Sequence, residues 1–469
     1  MNNHVVKSDI FWGYLSQFLN MGSYLILLPI ALYYLNEEQM GLWYVFLSIA
    51  GVTQLLEFGF QPTISRHTSY IYSGAKKLSS VGIPDRNCSG DEINIKLLAN
   101  FILASRKVYF IVSIAASIIL LIIGTLYIYS LNSNIDSHTI FFSWVLYSIS
   151  NVTLFYFGYY NGILKGRGDQ TALNKVIVIS KVTNIVVVIP LLVFGFGIMA
   201  LSIGMLCSVI VDRFLISRAF YNDRYNETKL AISTVITENL LSLIWTSSWR
   251  LGFVQLGSFL ILRANLFIAS SFLGLAAAAS YGLATQLLSV LIIVASMYFG
   301  LQLPHMNSLQ FTNSKDKIKK IFSISLVIAW FIFIFGFLCL IYIGIPLINL
   351  VSSGTKLFEL KYLVLFFLAG FLEMNHSLCT AYLTTLNRVP FMWSTIISGI
   401  LIVFFSLISI KFLGYGIGTL VISLFIVQVC FNNWFWPVIA YNNLGLTFFE
   451  PFKIAYLSLS GALTNSKKV

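Results

Sequence analysis

Between residues 10 and 439 the chain is a succession of long apolar runs separated by short polar connections. A helix that crosses a bilayer needs about 20 mostly apolar residues, because the hydrocarbon core is about 30 Å thick and each helical residue rises about 1.5 Å. Twelve runs meet that length: 10–35, 42–63, 108–130, 140–164, 176–196, 198–216, 251–272, 276–300, 321–343, 362–386, 391–410 and 416–439. They are continuous, without the alternation that marks the strands of a membrane barrel. Inside hydrocarbon only helices and closed barrels satisfy their own backbone. The expected fold is an all-α polytopic membrane protein with twelve transmembrane helices. Composition agrees: 10% of the 469 residues are charged, where soluble domains average about 25%.

The formal net charge of +12 would suit a nucleic-acid binder, but the charges are placed otherwise. Of the 29 Lys and Arg, 23 fall in alternate connections and at the two ends. Three (Lys356, Lys361, Lys411) fall in the opposite set, and three (Lys181, Arg250, Arg263) within or beside the runs. Basic loops stay on the cytoplasmic side, so both termini are expected there, and nucleic acid is not an expected partner. Outward connections are short, as in Asn36-Glu37-Glu38-Gln39 and Gly195-Phe196-Gly197, and leave no room for an external catalytic domain. The stretch 230–249, with Trp245 and Trp249, is expected to lie on the cytoplasmic surface as an amphipathic helix. It divides the chain into 1–229, a linker 230–249, and 250–469, with six runs on each side.

Catalytic signatures are missing. The sequence contains no GxxxxGK[ST] phosphate loop, no HExxH and no GxSxG. Four of the five cysteines lie in apolar runs and none has metal-ligand spacing, so they read as small buried hydrophobes, with no metal or cofactor expected. The chemistry is instead in ionisable residues at membrane depth, which are costly there and mark functional sites.

Arg263 is the deepest, about 18 Å into its run. It calls for a water-filled cavity, an acid partner or an anionic ligand, and its planar fork suits phosphate. The alternative is a structural arginine bonded to carbonyls or to an acid on a neighbouring helix. Glu373 and His376, three residues apart, share a helix face about 17 Å deep. They could take up and release a proton, or Glu373 could simply neutralise Arg263. Arg250 and Lys181 sit where a side chain can reach the inner interface, as anchors or as contacts for an anionic headgroup. Asn20, Asn151, Gln286, Gln428, Asn432 and Asn433 could line a hydrophilic cavity or bond between helices.

In LEFGFQPTISR, Glu57 and Arg66 are nine residues apart, on opposite sides of a straight helix. They are not expected to pair. Pro62 is expected to kink or end the helix, with Gly59 easing the bend. That leaves Arg66 as an inner-surface anchor or headgroup contact and Glu57 as a buried acid whose partner lies on another helix.

Trp249–Gln286, WRLGFVQLGSFLILRANLFIASSFLGLAAAASYGLATQ, followed by Pro304 and KDKIKK, resembles the start of the second half of O-antigen flippases. These form the polysaccharide transporter branch of the superfamily that also holds the multidrug and toxin exporters. The features are Trp-Arg-x-Gly, Phe-Leu-Gly after the run, Ala-Ser-Tyr-Gly-Leu opening the next, and a proline at its inner end. The Glu57-Phe58-Gly59-Phe60 stretch before Arg66 is similar to the family's second-span ending. The resemblance implies two six-helix bundles around a central cavity that opens alternately to each side. It implies transport of an undecaprenyl-pyrophosphate-linked oligosaccharide across the bacterial inner membrane, coupled to an ion gradient. Expected partners are that glycan lipid, membrane lipid, and glycan polymerase and chain-length regulator proteins. Relatives often carry an acid two residues after the position of Arg263. Here Asn265 stands there, which moves the expected coupling role to Glu373, with His376 and Glu57. A cation or drug exporter of the sister branch, and a membrane enzyme of the same pathway, are the competing readings. Acids rather than a deep arginine would favour the first, and a long outward loop the second.

Overall fold

In the computed structural model, which describes residues 7–72, 74–75, 77–78, 93–131, 133–222, 226–233, 240–311, 314–352, 354–386, 390–414 and 416–466, every regular element is helical. The first half comprises α1 (Lys7–Tyr34), α2 (Glu37–Leu55), α3 (Phe60–Tyr72), α4 (Ile95–Ile118), α5 (Thr125–Tyr129), α6 (Ser137–Tyr156), α7 (Tyr159–Gly166), α8 (Gln170–Val193), α9 (Ile198–Phe220) and α10 (Asn226–Ser233). After α11 (Leu241–Leu262) come α12 (Ala264–Phe272), α13 (Leu275–Phe311), α14 (Lys315–Cys339), α15 (Ile345–Val351), α16 (Leu360–Thr385), α17 (Met392–Leu413), α18 (Ile417–Cys430), α19 (Asn432–Leu444) and α20 (Glu450–Ser466).

Among the described residues, ten continuous helical stretches are long and apolar enough to cross a membrane, and the bent pair α2–α3 makes an eleventh. All twelve expected runs lie on helix, but α1 is not one of the eleven. Several α1 side chains lie outside the described residues, to which that count is confined. Ser16 on α1 donates to Asn174 Oδ1 on α8 at 3.1 Å. Two stretches are longer than their runs. Ile95–Tyr129 begins well before residue 108, and Lys315–Val351 continues past residue 343. In each case basic residues or a proline near the end remain helical, which an apolar-run reading cannot include.

The chain packs as two units, Met1–Gln255 and Leu256–Val469. In the first, α8 packs on α1 and α9, α6 on α4 and α9, and α3 on α7. Its core joins Ile64, Phe101, Tyr109, Tyr160, Ile163 and Phe220. In the second, α16 packs against α13, α18 and α19, while α14 packs against α13 and α20. Large apolar side chains such as Ile122, Leu126, Phe331 and Phe335 are exposed, as lipid-facing residues must be. The expected surface helix is divided: α10 covers Asn226–Ser233, residues 234–239 lie outside the described residues, and Trp245 and Trp249 belong to α11.

Caps set the element boundaries. Asn36 opens α2 with a capping box, accepting from Gln39 N at 2.9 Å while Gln39 Oε1 accepts from Asn36 N at 3.4 Å. Glu38 does not simply face solvent: its carboxylate accepts from Asn134 Nδ2 at 2.7 Å and Asn134 N at 3.0 Å, pinning the loop before α6. Asp136 caps α6, and the Thr139 N–H holds its carboxyl below the usual carboxylate range. At the opposite end of the chain, Thr447 N–H and Lys319 lower the Glu450 carboxyl in the same way, fastening the start of α20 to α14.

Among the described residues, two features occur once in each half at matching places. The third and ninth spans each contain a π-helical turn, Ile119–Gly124 and Leu340–Gly344. The fifth-to-sixth and eleventh-to-twelfth connections each turn through a Gly-x-Gly. Gly195 and Gly197 have φ of 82° and 56°, and Gly414 and Gly416 have 64° and 65°. Only glycine takes these angles without a steric penalty. The correspondence lies in backbone geometry, where residue-level self-similarity is too weak to declare a repeat.

Candidate functional site

In the second unit the buried polar centre is assembled from α16, α18 and α19. Glu373 lies near the middle of α16 and is 7% exposed. Its Oε2 accepts from Gln428 Nε2 at 2.8 Å, and its Oε1 is 3.9 Å from His376 Nδ1, one turn along the same helix. Asn433 also approaches the carboxylate. These partners satisfy Glu373 without Arg263. α18 ends at Cys430 and α19 begins at Asn432, because Phe431 (φ −145°, ψ −63°) leaves the helical region. Gln428 just before the break and Asn433 just after it both reach the acid, and Asn432 is buried beside them in sequence. Several atoms of the cluster have no hydrogen-bond partner among the described residues: Gln428 Oε1, both ring nitrogens of His376, and the amides of Asn432 and Asn433. Buried polar atoms are normally paired, so the cluster has capacity for water, a proton or a small cation. A cavity of about 30 Å³ borders Glu373, Gln428, Thr285 and Ser289, room for one or two waters.

Glu373→Gln keeps the size and most of the hydrogen bonding but cannot ionise. If this acid takes up a proton during a transport cycle, transport in membrane vesicles loses its dependence on an imposed pH gradient in this variant, and an unchanged dependence excludes that role.

Arg263 sits at a discontinuity in its span. α11 stops at Leu262, α12 starts at Ala264, and Arg263 itself has φ −120° and ψ −26°. Its N–H still bonds Phe259 O at 2.8 Å, but the next bond, Leu266 N to Arg263 O at 3.1 Å, closes over three residues rather than four. The kink brings together the half-buried Arg263 and the N-terminus of α12, both positive in character. Ile261 and Leu262, just before the kink, line the cavity next to Glu373. Asn265 is fully buried and donates to Leu420 O at 3.3 Å.

In the first unit, Glu57 has found its partner on another helix: Tyr109 on α4 donates to its Oε1 at 2.8 Å. The bend between α2 and α3 is 44°. It falls at Phe58 and Gly59, whose φ values are 42° and 71°. Left-handed backbone costs a non-glycine residue roughly 1–2 kcal/mol. Pro62 therefore does not kink a continuous helix as expected; it lies in the first turn of α3, where its missing N–H is harmless. The exposed Arg66 lies beyond the bend from Glu57. Lys181 is half-buried on α8, close enough to act on Asp212. The Arg250 side chain lies outside the described residues.

Two arginines that the charge pattern assigns to connections are buried. Arg213 lies within α9, 9% exposed, paired with Asp212 at 2.9 Å. It donates at 3.1 Å to Phe157 O, where the fourth span breaks between α6 and α7, a carbonyl that also accepts from Tyr160 N at 3.2 Å. Arg167 is 2% exposed and donates to Ala219 O at 2.6 Å and Phe220 O at 3.1 Å, with Asp169 Oδ2 at 3.2 Å. The signal for Arg213 is Asp-Arg inside Val-Ile-Val-Asp-Arg-Phe-Leu, an ion pair within an apolar run.

No protein-family model and no curated protein sequence matches the chain. Solved structures do match. An inward-facing multidrug resistance MATE family transporter of the MOP superfamily aligns at TM-score 0.71 and 14% identity, covering 92% of this chain and 95% of that one. A MATE multidrug transporter, DinF-BH, solved in complex with a ligand, aligns at 0.61 and 12% identity, with 94% and 96% covered. A MOP superfamily transporter from Pyrococcus furiosus, whose binding pocket is described as having reverse polarity, aligns at 0.54 and 15%, with 94% and 97% covered. The chain is thus a multi-pass, all-helical membrane protein with the MATE fold. At such identities the likeness is one of fold.

Proposed function

We infer that this protein is an alternating-access transporter of a bacterial inner membrane. Its cargo would be an oligosaccharide linked to undecaprenyl pyrophosphate, moved toward the outer leaflet at the expense of an ion gradient. The observation that carries the cargo class is the arginine at the kink of the seventh span, joined to a helix N-terminus. Discontinuous helices whose N-termini point at anionic groups are a recurring way to bind substrate at the bilayer midplane. A pyrophosphate cannot enter hydrocarbon unaided, and an arginine fork suits it. Arg66, Lys181 and Arg250 are the further basic residues we assign to headgroup contact. Glu373, with His376 and Glu57, is assigned to ion coupling, supported by the unfilled hydrogen-bonding capacity around Glu373. The sequence carries no ATP-binding motif, and no cofactor enters the scheme. A glycan polymerase and a chain-length regulator are the proposed protein partners.

A second reading is export of small drug-like cations. It is favoured by the fold neighbours, which include a MATE multidrug transporter solved with a ligand. Proteoliposomes separate the two. Purified protein should move a fluorescent short-chain polyprenyl-pyrophosphate glycan between leaflets and should not transport the cationic dye ethidium. Transport of ethidium without movement of the lipid would select the second reading.

A further inference from the structure

Two positions far apart in the sequence meet in the first unit: Phe58 at the α2–α3 bend and Gly252 on α11. The Phe58 ring occupies the space that a side chain at position 252 would need. A Cβ built on Gly252 would overlap the ring and stand 2.9 Å from the Phe58 Cβ. Trp245, two turns earlier on α11, closes the other side, with ring centroids 5.7 Å from Phe58 and 6.1 Å from Phe60. Gly252 is thus a notch and Phe58 a knob. The knob is held out from its helix by left-handed backbone at Phe58 and Gly59. The residue before it is tethered by Tyr109.

We propose that Phe58 in the Gly252 notch is a latch that keeps the second span bent, and that its release lets α2 and α3 straighten. Several features support a two-state element rather than static packing. The knob's backbone is strained, so leaving the notch lets Phe58 return to ordinary helical angles. The bend is spanned by short-range bonds (Glu57 N to Gln54 O, Phe58 N to Leu55 O, Phe60 N to Glu57 O), each of which can be exchanged for regular helical bonds in a straight span. The notch is on α11, the helix that continues to the Arg263 kink. A shift of α11 along its axis would move the notch away from the knob. The latch thus ties the bend of the second span to the position of α11.

The test reads the hinge directly and needs no cargo, so it stands apart from the proposed function. In the full-length protein, with its five native cysteines replaced by alanine, Phe58→Cys and Gly252→Cys are introduced together. Disulfides need Cβ atoms about 3.5–4.5 Å apart. With the ring gone the two positions need to part only slightly to reach that range, so an oxidant should link the pair. Hydrogen exchange is then followed by mass spectrometry in lipid nanodiscs. Oxidised protein should exchange the amides of Glu57, Phe58, Phe60 and Thr63 at least about tenfold more slowly than the same protein after reduction. Gly252→Ala, which ejects the knob and lets the span straighten, should slow the amides of Glu57, Phe58 and Phe60 relative to wild type, because regular helical bonds replace the short ones, while peptides from α16 are unaffected. Equal exchange before and after reduction would mean that position 58 never leaves the notch, and would overturn the proposal. If Gly252→Ala disturbs the whole fold, the comparison of oxidised with reduced protein still decides.

Discussion

Replacing Arg263 with alanine is expected to slow movement of the lipid-linked glycan about 100-fold while leaving the protein in the membrane. The estimate takes about 2.8 kcal/mol for a charge-assisted contact to phosphate lost away from water. Arg263→Lys should fall between, losing roughly tenfold, since an ammonium keeps the charge but not the planar fork. Measured in the proteoliposome assay at equal protein content, wild-type rates in Arg263→Ala would remove the arginine from the binding site. The same mutation should leave the bent pair α2–α3 as it is, because that bend is held within the first unit by Tyr109, Trp245 and Gly252.

The largest effect on stability is expected at Arg167. Its guanidinium joins the end of α7 to the last carbonyls of α9, reaches Thr228 of α10 at 3.4 Å and faces Asp169. Truncation to alanine would take the side-chain donor from both carbonyls, leaving Ala219 O only its backbone donors, and would strip a largely buried acid of its ion pair. Breaking a buried pair from one side costs about 3–5 kcal/mol. Arg167→Ala should therefore lower the unfolding temperature in nanodiscs by several degrees. Arg167→Lys should recover little of it, because one ammonium cannot reach both carbonyls and the carboxylate. A melting temperature equal to wild type would show that the buried arginine is not what joins α7, α9 and α10.

How much of this is legible in the sequence depends on the range of the forces involved. The spans are readable because the bilayer fixes their length, residue by residue, with no need for tertiary information. The pairing of Glu373 with His376 is readable because both lie on one turn of one helix. The Gln428 contact is not, since α18 and α16 are far apart in the chain and periodicity cannot dock two helices. Arg213 reads as a loop charge because charge usually marks the end of a span; only the Asp212 beside it betrays a neutralised pair inside one. Glu57 and Arg66 are rightly kept apart by their spacing, but for the wrong reason. They are separated by a break at Phe58 and Gly59, not by opposite faces of a straight helix. Phe58 is unreadable in principle, since its own preference is against the left-handed backbone it adopts. The glycine that accommodates it is almost two hundred residues further along.

The broken fourth span has a consequence for how the protein is made. The Phe157 carbonyl at the α6–α7 junction accepts from Tyr160 N inside the break and from Arg213, 56 residues later in the chain. When the ribosome has delivered α6 and α7, the local donor is present and the second has not yet been synthesised. A bare carbonyl in hydrocarbon costs several kcal/mol, and the Tyr160 bond avoids that cost. The interruption can therefore form as the span is made. What arrives late is the tie: Arg213 fastens α9 to a break that is already in place.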